Sequence, residues 1–98
     1  MDLQRLPVKY RNDIKKAVKL LKNEGCKAVY LFGSLANGNY RDNSDIDLGI
    51  RGLPPNRFIH AYGELDSNIR TPTDLVDFDY DSDFYSMLDS IHEVVQIG

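Results

Sequence analysis

Ala28-Val29-Tyr30-Leu31-Phe32-Gly33-Ser34-Leu35-Ala36-Asn37-Gly38 and, after a gap, Ser44-Asp45-Ile46-Asp47-Leu48-Gly49-Ile50 decide how this chain folds. The first stretch opens with a continuous apolar run closed by glycine, the pattern of a strand buried on both faces that ends in a tight turn. In the second, alternate side chains of a strand share a face, so Asp45 and Asp47 project together while Ile46, Leu48 and Ile50 point into a core. Two carboxylates on one face repel each other unless a cation sits between them, and a hard cation accompanied by phosphate oxygens suits the place. Gly33 permits close approach of backbone to a ligand, and a helix starting at Ser34 aims its free N–H groups at an anion.

Outward from this pair, the remaining segments read as supports. Tyr10, Ile14, Ala17, Val18 and Leu21 recur at helical spacing, with Pro7 acceptable in a first turn and Gly25 placed to end the segment. Residues 37–43 are crowded with turn formers and predict an exposed loop leading into the Asp45 strand. Arg51-Gly52-Leu53-Pro54-Pro55 is a turn before a helix striped by Phe58, Tyr62, Leu65 and Ile69, which Thr71-Pro72 breaks. Thr73 to Phe78 then predicts a third strand, and the preceding helix is the crossover that a parallel partner of the Asp45 strand requires. Asp81-Ser82-Asp83 offers cap residues to a last helix with Phe84, Leu88, Ile91 and Val95 on one side. The expectation is one α/β (α+β) domain over residues 1–98, a small mixed β-sheet flanked by helices.

Composition narrows the class. A chain of 98 residues with 42% hydrophobic content, six Tyr and four Phe has enough apolar material for one core. Cys26 is the one cysteine, follows a helix-ending glycine and has no His or Cys near it, so a small buried thiol is expected. No signal peptide pattern and no apolar stretch near the roughly 18 residues of a membrane span is present, which points to a cytoplasmic protein. Net charge is −3, unevenly spread: residues 1–30 hold eight Lys or Arg against three acids, whereas residues 74–93 hold seven acids and no Lys or Arg. Lys9, Lys15, Lys16, Lys19 and Lys22 fit the solvated face of an amphipathic helix, and a pI of about 5.2 speaks against a dedicated nucleic-acid binder.

Gly33-Ser34, Gly38 and Ser44-Asp45-Ile46-Asp47-Leu48, in this order and spacing, resemble the signature of the minimal nucleotidyltransferase (MNT) family. These are small members of the polymerase-beta-like nucleotidyltransferase superfamily, which move a nucleoside monophosphate from a nucleoside triphosphate. The resemblance covers most of the chain and implies the nucleotidyltransferase fold, with ATP as substrate and Mg2+, as two ions in the fullest case. It implies that Asp45 and Asp47 are catalytic and hold the metal, and that Gly33, Ser34, Gly38 and Ser44 contact the nucleotide. A third carboxylate is expected from the later strand. Asp74 is preferred as catalytic and metal-binding residue and Asp77 is the alternative; strand alternation puts Asp74 on the opposite face from Asp77 and Asp79, and only one face meets the metals.

The resemblance also implies a partner. Many such domains are encoded beside an all-helical HEPN-type toxin, so the expected activity is transfer of AMP to a hydroxyl on that protein, the chain serving as antitoxin of a HEPN/MNT pair without membrane or nucleic acid. The alternative is a catalytically weak or inactive module that binds nucleotide or protein. One departure bears on the choice: many members carry a basic residue just before the glycine at 38, and this chain has Asn37. His60 and His92 fall in expected helices away from the motif and read as surface or packing residues.

Overall fold

The computed structural model describes residues 3–98. Helix α1 (Val8–Glu24) follows Pro7 and buries Tyr10, Ile14, Ala17 and Leu21, the one-sided stripe of its sequence. Gly25 ends it with φ 114°, its N–H donating to the Lys22 carbonyl while Cys26 N–H reaches back to Leu21. A left-handed residue is needed to turn these two donors onto the last carbonyls, hence the glycine.

Strand β1 (Ala28–Phe32) runs to Gly33 and the single-turn helix α2 (Ser34–Asn37). After the loop come β2 (Ile46–Arg51), a 3-10 turn at Pro55–Arg57, α3 (Phe58–Asn68), β3 (Thr73–Asp77), α4 (Ser82–Ser90) and β4 (Val94–Gln96). The sheet order is β3-β2-β1-β4. β1 pairs antiparallel with β2 and β4, and β2 pairs parallel with β3, so the sheet is mixed and α3 is the crossover. Asp81 caps α4 by accepting the Phe84 N–H.

The last helix is shorter than its periodicity predicts. It stops at Ser90, His92 takes φ 57°, and Val94–Gln96 forms the fourth strand. Val95 therefore lies opposite Leu31 in the sheet rather than on a helix face, and His92 lies in a turn rather than in a helix. β1 is apolar through its length and its backbone groups need partners on both sides; the β-branched Val94-Val95 pair supplies them on one.

Alternation along the strands divides the core. Val29, Leu31, Leu48, Ile50 and Leu75 face α1 and α3, while Tyr30, Phe32 and Val76 join Phe78, Phe84, Tyr85 and Leu88 on the α4 side. Cys26 is buried as expected, and burial together with the charges of Asp77 and Glu24 pushes its thiol up to about 11. Gly49 lies directly over the fully buried Phe78: a Cβ there would sit 1.9 Å from Cε2 of that ring. Gly49→Ala is therefore expected to destabilise the protein by about 2–3 kcal/mol through overpacking, measured by urea unfolding with an unchanged m-value.

Candidate active site

The site forms where β1 ends. Gly33 has φ 73° and ψ −150°, a conformation open to glycine alone, and its carbonyl accepts the Ala36 and Asn37 N–H groups that close α2. Gly38 ends that turn at φ 87° with its N–H on the Ser34 carbonyl.

The loop back to β2 is held from α1. The Tyr10 hydroxyl lies 3.1, 3.2 and 3.0 Å from the carbonyl oxygens of Arg41, Asp42 and Ser44, and Lys9 Nζ donates to the Asp42 carbonyl at 2.7 Å. Ser44 Oγ accepts the Arg41 N–H at 2.7 Å, so its hydroxyl shapes the loop. The chain thus enters β2 with Asp45 just before the strand and Asp47 inside it.

The parallel register sets Asp74 of β3 directly beside Asp47. Asp47 is half-buried and carries the strongest electrostatic signature of the site. Burial first, then the charges of Asp74 and Asp45, then a hydrogen bond with Asp74, push its carboxyl up to about 6. Gly33 is the wall on the other side: a Cβ there would lie 2.2 Å from Asp47 Oδ2. Asp74 Oδ1 also faces the Tyr62 hydroxyl at 3.3 Å.

Asp77 is not part of this group. It lies opposite Ile50, and its Oδ1 accepts the N–H groups of Asp79 and Tyr80, while Asp79 Oδ2 accepts the Gly52 N–H. Both hold the turn into α4. Asn37 donates from Nδ2 to Glu93 Oε1 at 3.0 Å and accepts the Asn39 N–H. His60 lies away from the site, against Glu24 and 3.7 Å from Glu64. Glu93, Tyr10 and Tyr62 are contributors that the motif does not announce.

Asp45, Asp47 and Asp74 make no ion pair with Lys, Arg or His among the described residues. Among those residues no three His, Cys, Asp or Glu side chains close on a common metal position. As a donor set, an all-oxygen, all-anionic group suits Mg2+, which takes few protein ligands and keeps several waters.

The sequence is matched over residues 12–95 by a family model described as polymerase beta, nucleotidyltransferase. The chain belongs to the nucleotidyltransferase family. Among solved structures, this nucleotidyltransferase domain resembles a mutant of the toxin–antitoxin pair MntA–HpeT at 25% identity and TM-score 0.64, covering 84% of this chain and 69% of that one. A toxin–antitoxin structure with AMP-PNP matches at 28% identity and TM-score 0.64, covering 87% and 69%. A tri-AMPylated Shewanella oneidensis HEPN toxin in complex with MNT antitoxin matches at 26% identity and TM-score 0.52, covering 74% and 57%. These likenesses support a minimal nucleotidyltransferase within the family, and the four-stranded mixed sheet with flanking helices is consistent with the nucleotidyltransferase fold. No curated protein matches significantly. Among the described residues no helix is long and apolar enough to cross a membrane.

Proposed function

We propose that the chain transfers AMP from ATP to a side-chain hydroxyl of a HEPN-type partner protein, and acts as the antitoxin of that pair. The observation that carries this reading is the gathering of Asp45, Asp47 and Asp74 beside the Gly33 turn, with no cationic side chain paired to any of them among the described residues. Its likeness to a toxin–antitoxin structure with AMP-PNP and to a complex holding a tri-AMPylated HEPN toxin supports the nucleotide and the partner.

Nucleotidyl transfer is an in-line displacement at the α-phosphorus. The acceptor oxygen forms the new P–O bond, the bond to the β-phosphate breaks, and pyrophosphate leaves. Bound Mg2+ supplies charge neutralisation along the triphosphate. Asp45, Asp47 and Asp74 are the residues that would hold it, with Asp77 engaged elsewhere. Gly33 and Ser34 would take the terminal phosphates, Gly33 because a bare backbone lets them approach. Gly38 and Ser44 support the same surface by fixing the end of α2 and the loop. Asp74, exposed on the edge strand, would take the proton of the incoming hydroxyl.

A binding-only antitoxin is the second reading, and Asn37 favours it. A neutral amide stands where many relatives keep a cation, and its donor is already engaged by Glu93. Intact-mass spectrometry of a co-expressed HEPN-type partner separates the two. Adenylate adducts formed with the wild type and absent with Asp45→Asn plus Asp47→Asn support transfer; neutralisation of the partner by both, without adducts, supports binding alone.

A further inference from the structure

Tyr62 belongs by spacing to the apolar stripe of α3, yet its ring does not finish in the core. Its body packs against the core on the α1–α3 side, and its ring meets Phe58 edge-on at 6.2 Å between centroids and 87° between planes. The hydroxyl emerges at the free edge of β3, 3.3 Å from the Thr73 carbonyl oxygen and 3.3 Å from Asp74 Oδ1.

That edge is where Asp74 needs support. β3 is the outer strand of the sheet, so no neighbouring strand flanks Asp74 on its far side, and its side chain is exposed. A carboxylate in this setting keeps rotamer freedom unless a fixed donor restricts it, and each lost rotamer matters when several acids must share one ion. Tyr62 is a fixed donor because Phe58 holds its ring.

We propose that Tyr62 is a positioning residue: its hydroxyl orients the Asp74 carboxylate toward Asp47 and thereby prepares the acidic group for a divalent cation. The proposal rests on the role of Asp74 given above. Tyr62 would act only through Asp74.

The test is Mn2+ binding by the full chain in the presence of α,β-methylene-ATP, with free Mn2+ read by electron paramagnetic resonance. Tyr62→Phe keeps the ring against Phe58 and should melt close to the wild type. It is expected to weaken Mn2+ binding about tenfold, the usual scale for groups that orient a metal ligand. Asp74→Asn should weaken it at least as much, and the double variant no further than Asp74→Asn alone. Wild-type affinity in Tyr62→Phe, or a loss that adds fully to that of Asp74→Asn, overturns the proposal and leaves Asp74 in its role. Unchanged affinity in Asp74→Asn removes Asp74 from the metal site and the Tyr62 proposal with it.

Discussion

Asp47→Asn is expected to make the metal-free protein more stable at neutral pH while lowering the proposed AMP transfer by on the order of a thousandfold, the scale of losing several kcal/mol of charge stabilisation. In the folded chain the Asp47 carboxyl is raised from 3.8 to about 6 by burial and by two neighbouring acids. Its folded state therefore binds a proton more readily than its unfolded state, and stability falls as pH rises from about 4 to about 6. Above that window the full penalty is present, below it none. Asn carries no charge, so the variant should gain about 1 kcal/mol at pH 7 after allowance for the solvent that screens a half-buried group, and the gain should vanish near pH 4. Thermal melts across this range, with and without Mg2+-ATP, check both halves. A ligand-induced rise in Tm as large as in the wild type would remove Asp47 from the metal site.

Gly33→Ala attacks the same place from the backbone. The residue sits at φ 73° and ψ −150°, where a side chain is strained by about 1–3 kcal/mol, and its Cβ would stand 2.2 Å from Asp47 Oδ2. The expected result is a loss of about 3 kcal/mol in denaturant unfolding, together with loss of the Mg2+-ATP shift, because the carboxylate must leave its position. Asp47→Ala in the same background separates the two causes. The Asp47 Cβ is 3.4 Å from the added atom, an ordinary contact, so the double variant should recover the steric part and keep the backbone part. Full additivity of the two substitutions would show that the Asp47 side chain and the Gly33 position do not interact.

Much of this was legible in the residues, and the failures have physical causes. The apolar run 28–32 ending in Gly33 and the alternation of 45–50 carry enough period to place two strands and their faces. The helix before Thr73 is the crossover that a parallel third strand requires, and the structure has that parallel strand. Choosing between Asp74 and Asp77 needs the inter-strand register, a tertiary quantity; alternation says only that they face opposite ways. The register brings Asp74 to Asp47, while their chemical roles remain those proposed above. β4 was hidden because Val95 follows Leu88 and Ile91 at helical spacing, and a three-residue strand is too short for its own period to compete. What decides there is pairing with β1, more than sixty residues earlier in the chain. Tyr10 and Tyr62 read as core because the Tyr10 ring is buried and the Tyr62 ring packs against the core; where a phenolic tip ends depends on which loop or strand arrives beside it.

The sheet order has a consequence for solubility. β3 is an edge strand, and an edge with unpaired backbone groups is a template on which another chain can build a sheet. Here Tyr62 lies against the Thr73 carbonyl at one end, and the Asp81 N–H occupies the Asp77 carbonyl at the other. Between them stand Asp74 and Asp77, so two copies approaching edge to edge would bring like charges together. Asp74 thus serves twice: the charge proposed to handle a metal and a proton also keeps the strand that bears it from recruiting its own kind.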